Sequence, residues 1–173
     1  MPIPYRYEAG IMRVVLVGES GSGKDTLLEW FKQNKWHVII SHTTRSKRDG
    51  ESDSAYMFSD HETFTKHKNL DMVFEYVTFG GNIYWTLVSD YLIPNWVIIT
   101  ETEGARTLKR EFPDVFIIYL KTDRVTRIAR VGEERVLRDD GNFMSFPCDY
   151  VIDNNSTIEN LKMRLIAALE WGC

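Results

Sequence analysis

The stretch Gly18-Glu19-Ser20-Gly21-Ser22-Gly23-Lys24-Asp25-Thr26 carries the residues best suited to chemistry in this 173-residue chain. Gly18, Gly23 and Lys24 satisfy the pattern G-x-x-x-x-G-K. A loop of this kind turns its backbone N–H groups inward around a polyphosphate, which needs positive φ and leaves no room for side chains. Lys24 adds a full positive charge, and the start of a helix adds a partial one. Asp25 stands where the pattern has Ser or Thr, and the hydroxyl moves to Thr26. A carboxylate beside phosphates repels them unless Mg²⁺ lies between, so Asp25 is either a metal ligand, direct or through water, or turned away.

A second anion-seeking set follows in Ser41-His42-Thr43-Thr44-Arg45-Ser46-Lys47-Arg48-Asp49-Gly50-Glu51, with Tyr56 downstream. Two arginines three apart bind phosphate oxygens as forks, and phenol hydroxyls complete such a cage. Alone, this stretch reads equally well as a solvated basic loop. Beside a phosphate loop it indicates two anion sites in one small chain, a donor and an acceptor. His37, His42, His61 and His67 lack a metal-ligand spacing, so no zinc site is expected.

Positioning these groups requires a frame, and the apolar runs supply it. Ile11–Val17, Trp36–Ile40, Trp96–Ile99, Val115–Leu120 and Tyr150–Ile152 are nearly continuous in apolar residues, as parallel strands covered on both faces must be. The expected fold is α/β: a three-layer arrangement with a parallel five-stranded core sheet, helices on both faces, and ligands beyond the carboxyl ends of the strands. The loop then lies at a strand-to-helix turn, between Ile11–Val17 and Thr26–Phe31. Alternation in Met72–Val77 and Asn82–Thr86 predicts short antiparallel strands in an inserted subdomain. Thr122–Arg138 reads as one helix with a cationic face formed by Arg124, Arg127, Arg130, Arg135 and Arg138, broken by Asp139-Asp140-Gly141-Asn142. Ile158–Trp171 reads as a structural last helix, and Trp36, Phe74, Phe116 and Trp171 as core aromatics.

Bulk properties exclude several classes. Hydrophobic residues make up 43% and charged residues 27%, ordinary for a soluble globular protein. A net charge of −4 gives no general attraction to nucleic acid. The start, Met1 to Tyr7, lacks a signal-peptide core, and no apolar run approaches the ~20 residues of a membrane span. Cys148 and Cys173 make neither a disulfide framework nor a zinc spacing, which suits a reducing cytoplasm.

The motifs together resemble the guanylate kinase family: the phosphate loop, then S-x-T-T-R-x-x-R-x-G-E, Y-x-F at Tyr56, F-x-E at Phe74–Glu75 and G-N-x-Y at Gly81–Tyr84, in family order and near family spacing. The resemblance implies a P-loop NTPase fold in one kinase domain over residues 1–173, with a monophosphate-binding subdomain over 41–93 and a short arginine-rich lid over 122–145. It implies transfer of the ATP γ-phosphoryl group, with Mg²⁺, to a nucleoside monophosphate, foremost GMP or dGMP. Nucleotides are then the partners, with no nucleic acid or membrane, a cytoplasmic location, and homodimer formation left open. By the same likeness, Gly18, Glu19, Ser20, Gly21, Ser22, Gly23, Lys24, Asp25, Thr26 and Asn154 serve ATP. Ser41, Arg45, Arg48, Tyr56, Glu75, Tyr84, Thr86 and Glu101 serve the acceptor; Asp25, Thr26 and Glu101 serve the metal. Lys24, Arg127, Arg130, Arg135 and Arg138 stabilise the moving phosphoryl group.

Departures from the family are specific. Ile99-Thr100-Glu101-Thr102-Glu103-Gly104 stands where the family has D-I-D-x-Q-G, so the first acid is lost and the second is one methylene longer. Trp85 replaces a usual glycine beside the acceptor site, the lid is compressed, and Arg127 and Arg130 align to lid arginines only with a one-residue slip. Two other readings stay open. Ribose 1,5-bisphosphate kinase-like enzymes and phage-type deoxynucleotide kinases share the Lys-Asp loop feature, and guanylate kinase-like domains of scaffold proteins bind phosphopeptides without catalysis.

Overall fold

The computed structural model describes residues 10–53, 55–139 and 146–172. Its elements run β1 (Arg13–Val17), α1 (Lys24–Gln33), β2 (His37–Ile39), β3 (His42–Thr43), β4 (Met57–Phe58), α2 (His61–Asn69), β5 (Val73–Phe79) and β6 (Asn82–Leu87). A 3₁₀ turn at Val88–Tyr91 leads to β7 (Trp96–Ile99), α3 (Thr102–Glu111), β8 (Phe116–Lys121), α4 (Arg124–Val131), α5 (Glu133–Asp139), β9 (Tyr150–Asp153) and α6 (Ile158–Gly172). The expected break at Asp140–Asn142, the end of the expected lid at 145, the start of the chain and Cys173 lie outside the described residues.

Five strands form the sheet β2-β7-β1-β8-β9. β1 is central: Val14 pairs in parallel with Val97 on one side and Phe116 on the other. Val14, Val15, Leu16 and Val17 are fully buried, which is the physical reason this strand shows no alternation. Trp96, Ile98, Ile118, Leu120 and Ile152 extend the same core, and Leu27, Phe31, Leu161 and Leu165 close it from α1 and α6. Because β1, β7, β8 and β9 run in parallel, their carboxyl ends deliver Gly18, Glu101, Thr122 and Asn154 to one edge.

Two compact units are present, one comprising the chain up to Val38 with Asn95 onward, the other Ile39–Pro94. The second unit holds a four-stranded sheet ordered β4-β3-β6-β5. β6 pairs antiparallel with β3 and β5, as alternation predicts. β3 and β4 pair in parallel, however, so the sheet is mixed rather than antiparallel. Two-residue strands carry no readable period, which is why sequence patterning passes over them. α2 is also absent from the sequence expectation; it begins where the Asp60 carboxylate accepts the Thr63 N–H at 2.8 Å.

Two further corrections concern helices. The single helix expected over Thr122–Arg138 is divided at Gly132, whose φ of 87° and ψ of 156° no helix accommodates. Such a backbone is open almost only to glycine. Trp171, expected in the core, is 66% exposed at the end of α6; it leans on Phe116 and Tyr150, ring centroids 5.9 and 5.7 Å away.

Candidate active site

The phosphate loop leaves β1 at Gly18 and enters α1 through Gly23, whose φ is 103°. A Cβ at Gly23 would sit 2.4 Å from the Asn154 amide nitrogen. Glycine is therefore demanded by backbone conformation and by space. Ser22 is fully buried, and among the described residues its hydroxyl has no hydrogen-bond partner. An orphaned buried hydroxyl inside a tight glycine cradle fits a loop shaped to enclose a polar guest.

Lys24 turns its ammonium onto the Gly18 carbonyl and, at 3.1 Å, the Glu19 carbonyl. Burial pulls its pKa below the ordinary lysine value, and Glu101, Asp25, Asp139 and Glu19 oppose that pull. Four acids thus face the ammonium that would hold a phosphate. Burial raises the Glu101 carboxyl, opposed by Lys24, with Asp139 adding to the rise. Glu101, expected among acceptor and metal residues, is thus placed with Lys24. Asp25 is exposed in the first turn of α1, next to the half-buried Thr26.

The arginines of α4 brace the loop. Arg130 donates to the Gly21 carbonyl at 2.9 Å and the Asn154 carbonyl at 3.3 Å. Arg127 is buried and donates through Nε to the Thr122 carbonyl at 3.2 Å. Asn154, expected to serve ATP, is buried and donates its amide to the Ser22 carbonyl at 2.8 Å. On α5, Arg138 Nε donates to Asp139 Oδ1 at 3.2 Å, and Asp139 Oδ2 accepts the Ser20 N–H at 2.8 Å. Arg135 is half-buried, and its buried Nε has no hydrogen-bond partner among the described residues. Glu19, a variable position of the loop pattern, accepts the Tyr119 hydroxyl at 2.9 and 3.0 Å.

The second unit brings Arg45, Tyr56 and Tyr84 together. The Arg45 guanidinium lies 5.2 Å from the Tyr56 ring centroid, and the Tyr56 and Tyr84 rings are 5.7 Å apart. Glu51 receives Arg45 through two bonds, 2.6 and 3.0 Å, and also the Arg48 N–H at 2.9 Å. Glu75 is buried, and Thr86 donates to its Oε1 at 3.1 Å while standing 3.0 Å from the Tyr91 hydroxyl. Burial raises the Glu75 carboxyl, opposed by the Thr86 bond. Ser41 uses its carbonyl to accept the Met57 N–H at 3.0 Å.

Trp85 belongs elsewhere. It is fully buried, stacks on His42 at 5.0 Å and donates its indole N–H to His67 Nδ1 at 3.1 Å. Alternation along β6 puts it on the face opposite its neighbours Tyr84 and Thr86, where it packs in the core of this unit.

Sequence reasoning missed Asp139 as a loop partner and Tyr91 as the third hydroxyl at Glu75. Asp139 had a faint signal in its adjacency to Arg138. Tyr91, in a 3₁₀ turn, had none.

A family model described as guanylate kinase matches residues 11–163, most of the chain. The chain belongs to the guanylate kinase family. Within the guanylate kinase family it is 35% identical over 131 residues to a guanylate kinase of Synechocystis sp., spanning 71% of this chain and 66% of that protein. It is 30% identical over 170 residues to a guanylate kinase of Prochlorococcus marinus subsp. pastoris, covering 86% and 92%. The crystal structure of guanylate kinase from Anaplasma phagocytophilum aligns with a TM-score of 0.70 at 22% identity, over 92% of this chain and 85% of that one, and bears out the fold. The match spans just under two thirds of the Synechocystis relative's length.

Proposed function

We propose that the protein transfers the γ-phosphoryl group of Mg·ATP to a guanine nucleoside monophosphate, GMP or dGMP. The observation that carries the choice of acceptor is Glu75, a buried carboxylate with one oxygen held by Thr86. A carboxylate can accept both N1–H and the exocyclic N2–H of guanine, a donor pair adenine lacks on that edge. Family membership and the intact loop support the kinase reading over a binding module, and Glu75 with Thr86 supports a purine base over a ribose bisphosphate.

In this reading Lys24 and the loop amides hold the donor's phosphates, while Arg130, Arg127 and Asn154 keep the loop in shape. Arg45, Arg48, Tyr56 and Tyr84 hold the acceptor's phosphate. Among the described residues no group of three or more His, Cys, Asp or Glu forms a protein-only metal cage, which suits Mg²⁺, an ion that keeps waters and phosphates in its shell. Asp25, Thr26 and Glu101 are the residues that would hold it, directly or through water. When bound, the ion neutralises charge on the donor's phosphate oxygens. Arg135 and Arg138 on α5 supply further positive charge for the moving phosphoryl group, and alignment of two anions supplies most of the rate.

The test is ADP release with ATP and, in turn, GMP, dGMP, AMP, CMP, UMP and dTMP. Turnover led by GMP or dGMP is expected; absence of acceptor-dependent turnover with all six overturns the reading.

A further inference from the structure

The amide of Ser20 belongs to the phosphate loop, yet it is taken by a carboxylate of the same chain. Asp139 is 7% exposed and presents Oδ2 to the Ser20 N–H at 2.8 Å while Oδ1 accepts Arg138 Nε at 3.2 Å. The Ser20 hydroxyl bonds the same carboxyl, and burial, which alone would raise its pKa, is outweighed by these bonds and by Arg138, so it stays ionised. The charge also acts on Lys24. An anion thus sits on a loop amide and hydroxyl, within the field of the lysine that reaches a nucleotide's terminal phosphates, and is held from the other side by an arginine.

Those are the partners a phosphate takes. A carboxylate with two oxygens on an amide and a guanidinium offers the same sign of charge and the same kind of acceptor. Both groups cannot hold the Ser20 N–H at once, and two anions competing for one donor repel. Resting on the kinase reading above, we propose that Asp139 is a built-in surrogate for a donor phosphate, and that the loop takes its polyphosphate by exchanging this carboxylate for it. Asp139 therefore sets donor affinity.

Binding of ATP and of inorganic tripolyphosphate is to be measured by calorimetry, with Mg²⁺ and with chelator, for the full chain and for Asp139→Asn. Losing a charge-assisted competitor predicts tighter binding of both ligands, by about tenfold, with and without Mg²⁺. Unchanged affinity overturns the proposal. Weaker binding confined to the Mg²⁺ arm also overturns it, because Asp139 is then a metal ligand. Weaker binding in all arms overturns it in favour of a purely structural role. Asp139→Ser, small and neutral, gives the same readings should the Asn variant fail to fold. A wild-type chain that binds tripolyphosphate but not ATP sinks the kinase reading while leaving the exchange to be judged from the tripolyphosphate arm.

Discussion

The Arg45 guanidinium and the Glu51 carboxylate meet as a two-pronged fork, with nitrogen-to-oxygen distances of 2.6 and 3.0 Å. Glu51 also accepts the Arg48 N–H, so one carboxylate fixes both ends of the arginine pair expected to hold the acceptor phosphate. The bond to Glu51 raises the Arg45 pKa; Glu51, despite burial that would raise it, is held below its usual value by Arg45. Glu51→Ala frees a partly buried guanidinium whose charge-assisted bonds are worth roughly 1.5–3 kcal/mol. The acceptor KM should rise by about tenfold or more with ATP binding unchanged, as steady-state kinetics at saturating ATP would record. An unchanged KM would remove Glu51 from acceptor positioning.

Glu75 should govern the base. Glu75→Gln presents an amide donor to at least one guanine N–H, so kcat/KM for GMP should fall roughly tenfold to a hundredfold while AMP changes little. Its pH behaviour follows from burial, which raises its pKa. The carboxyl takes up its proton at a higher pH than an ordinary glutamate and loses the ability to accept two donors, so GMP affinity should weaken on acidification before an exposed carboxylate would titrate. Competition binding of GMP between pH 7.5 and 5 tests this.

Gly23→Ala should disable the donor half alone. It forces a side chain onto φ of 103° and within 2.4 Å of the Asn154 amide, a strain on the order of 1–3 kcal/mol. ATP affinity should drop by tenfold or more, and GMP binding in the absence of ATP should stay at the wild-type value. Calorimetry on each ligand separately reads the two halves.

The Trp85 cluster should make the second unit sensitive to acid. The half-buried His42 ring stacks on Trp85 and lies 5.3 Å from the His67 ring; burial and His67 lower the His42 pKa, with Asp90 opposing. In the unfolded chain His42 protonates near its ordinary value of about 6.5. Stability is therefore full above that pH and is lost as pH falls toward the depressed folded pKa, because the unfolded state binds the extra proton. Urea midpoints at pH 7.5 and 5.5 should differ less in His42→Gln than in the wild type. Trp85→Ala should cost about 3–5 kcal/mol at either pH.

Legibility from the sequence followed the physics of each signal. The five core strands showed themselves through unbroken apolar runs such as Val14–Val17, since burial on both faces constrains every residue. The loop was readable because Gly18, Gly23 and Lys24 are each required by backbone or charge at fixed offsets. Arg45 and Glu75 were found only through their neighbours in sequence. Nothing local marked β3 and β4, of which β3 takes the edge of β6 and β4 the edge of β3, or Tyr91, which reaches Glu75 through Thr86. Asn154 illustrates the limit most clearly: its identity was legible, but its grip on the Ser22 carbonyl depends on a strand end more than a hundred residues away.

Gly132 divides these arginines between two helices. Upstream, Arg127 and Arg130 are tied to the Thr122, Gly21 and Asn154 carbonyls; downstream, Arg138 and Asp139 ride on a helix of seven residues. The second helix is anchored as well, since Asp139 accepts the Ser20 N–H at 2.8 Å. The glycine at the junction therefore lets two short helices grip neighbouring loop residues, Gly21 from one and Ser20 from the other.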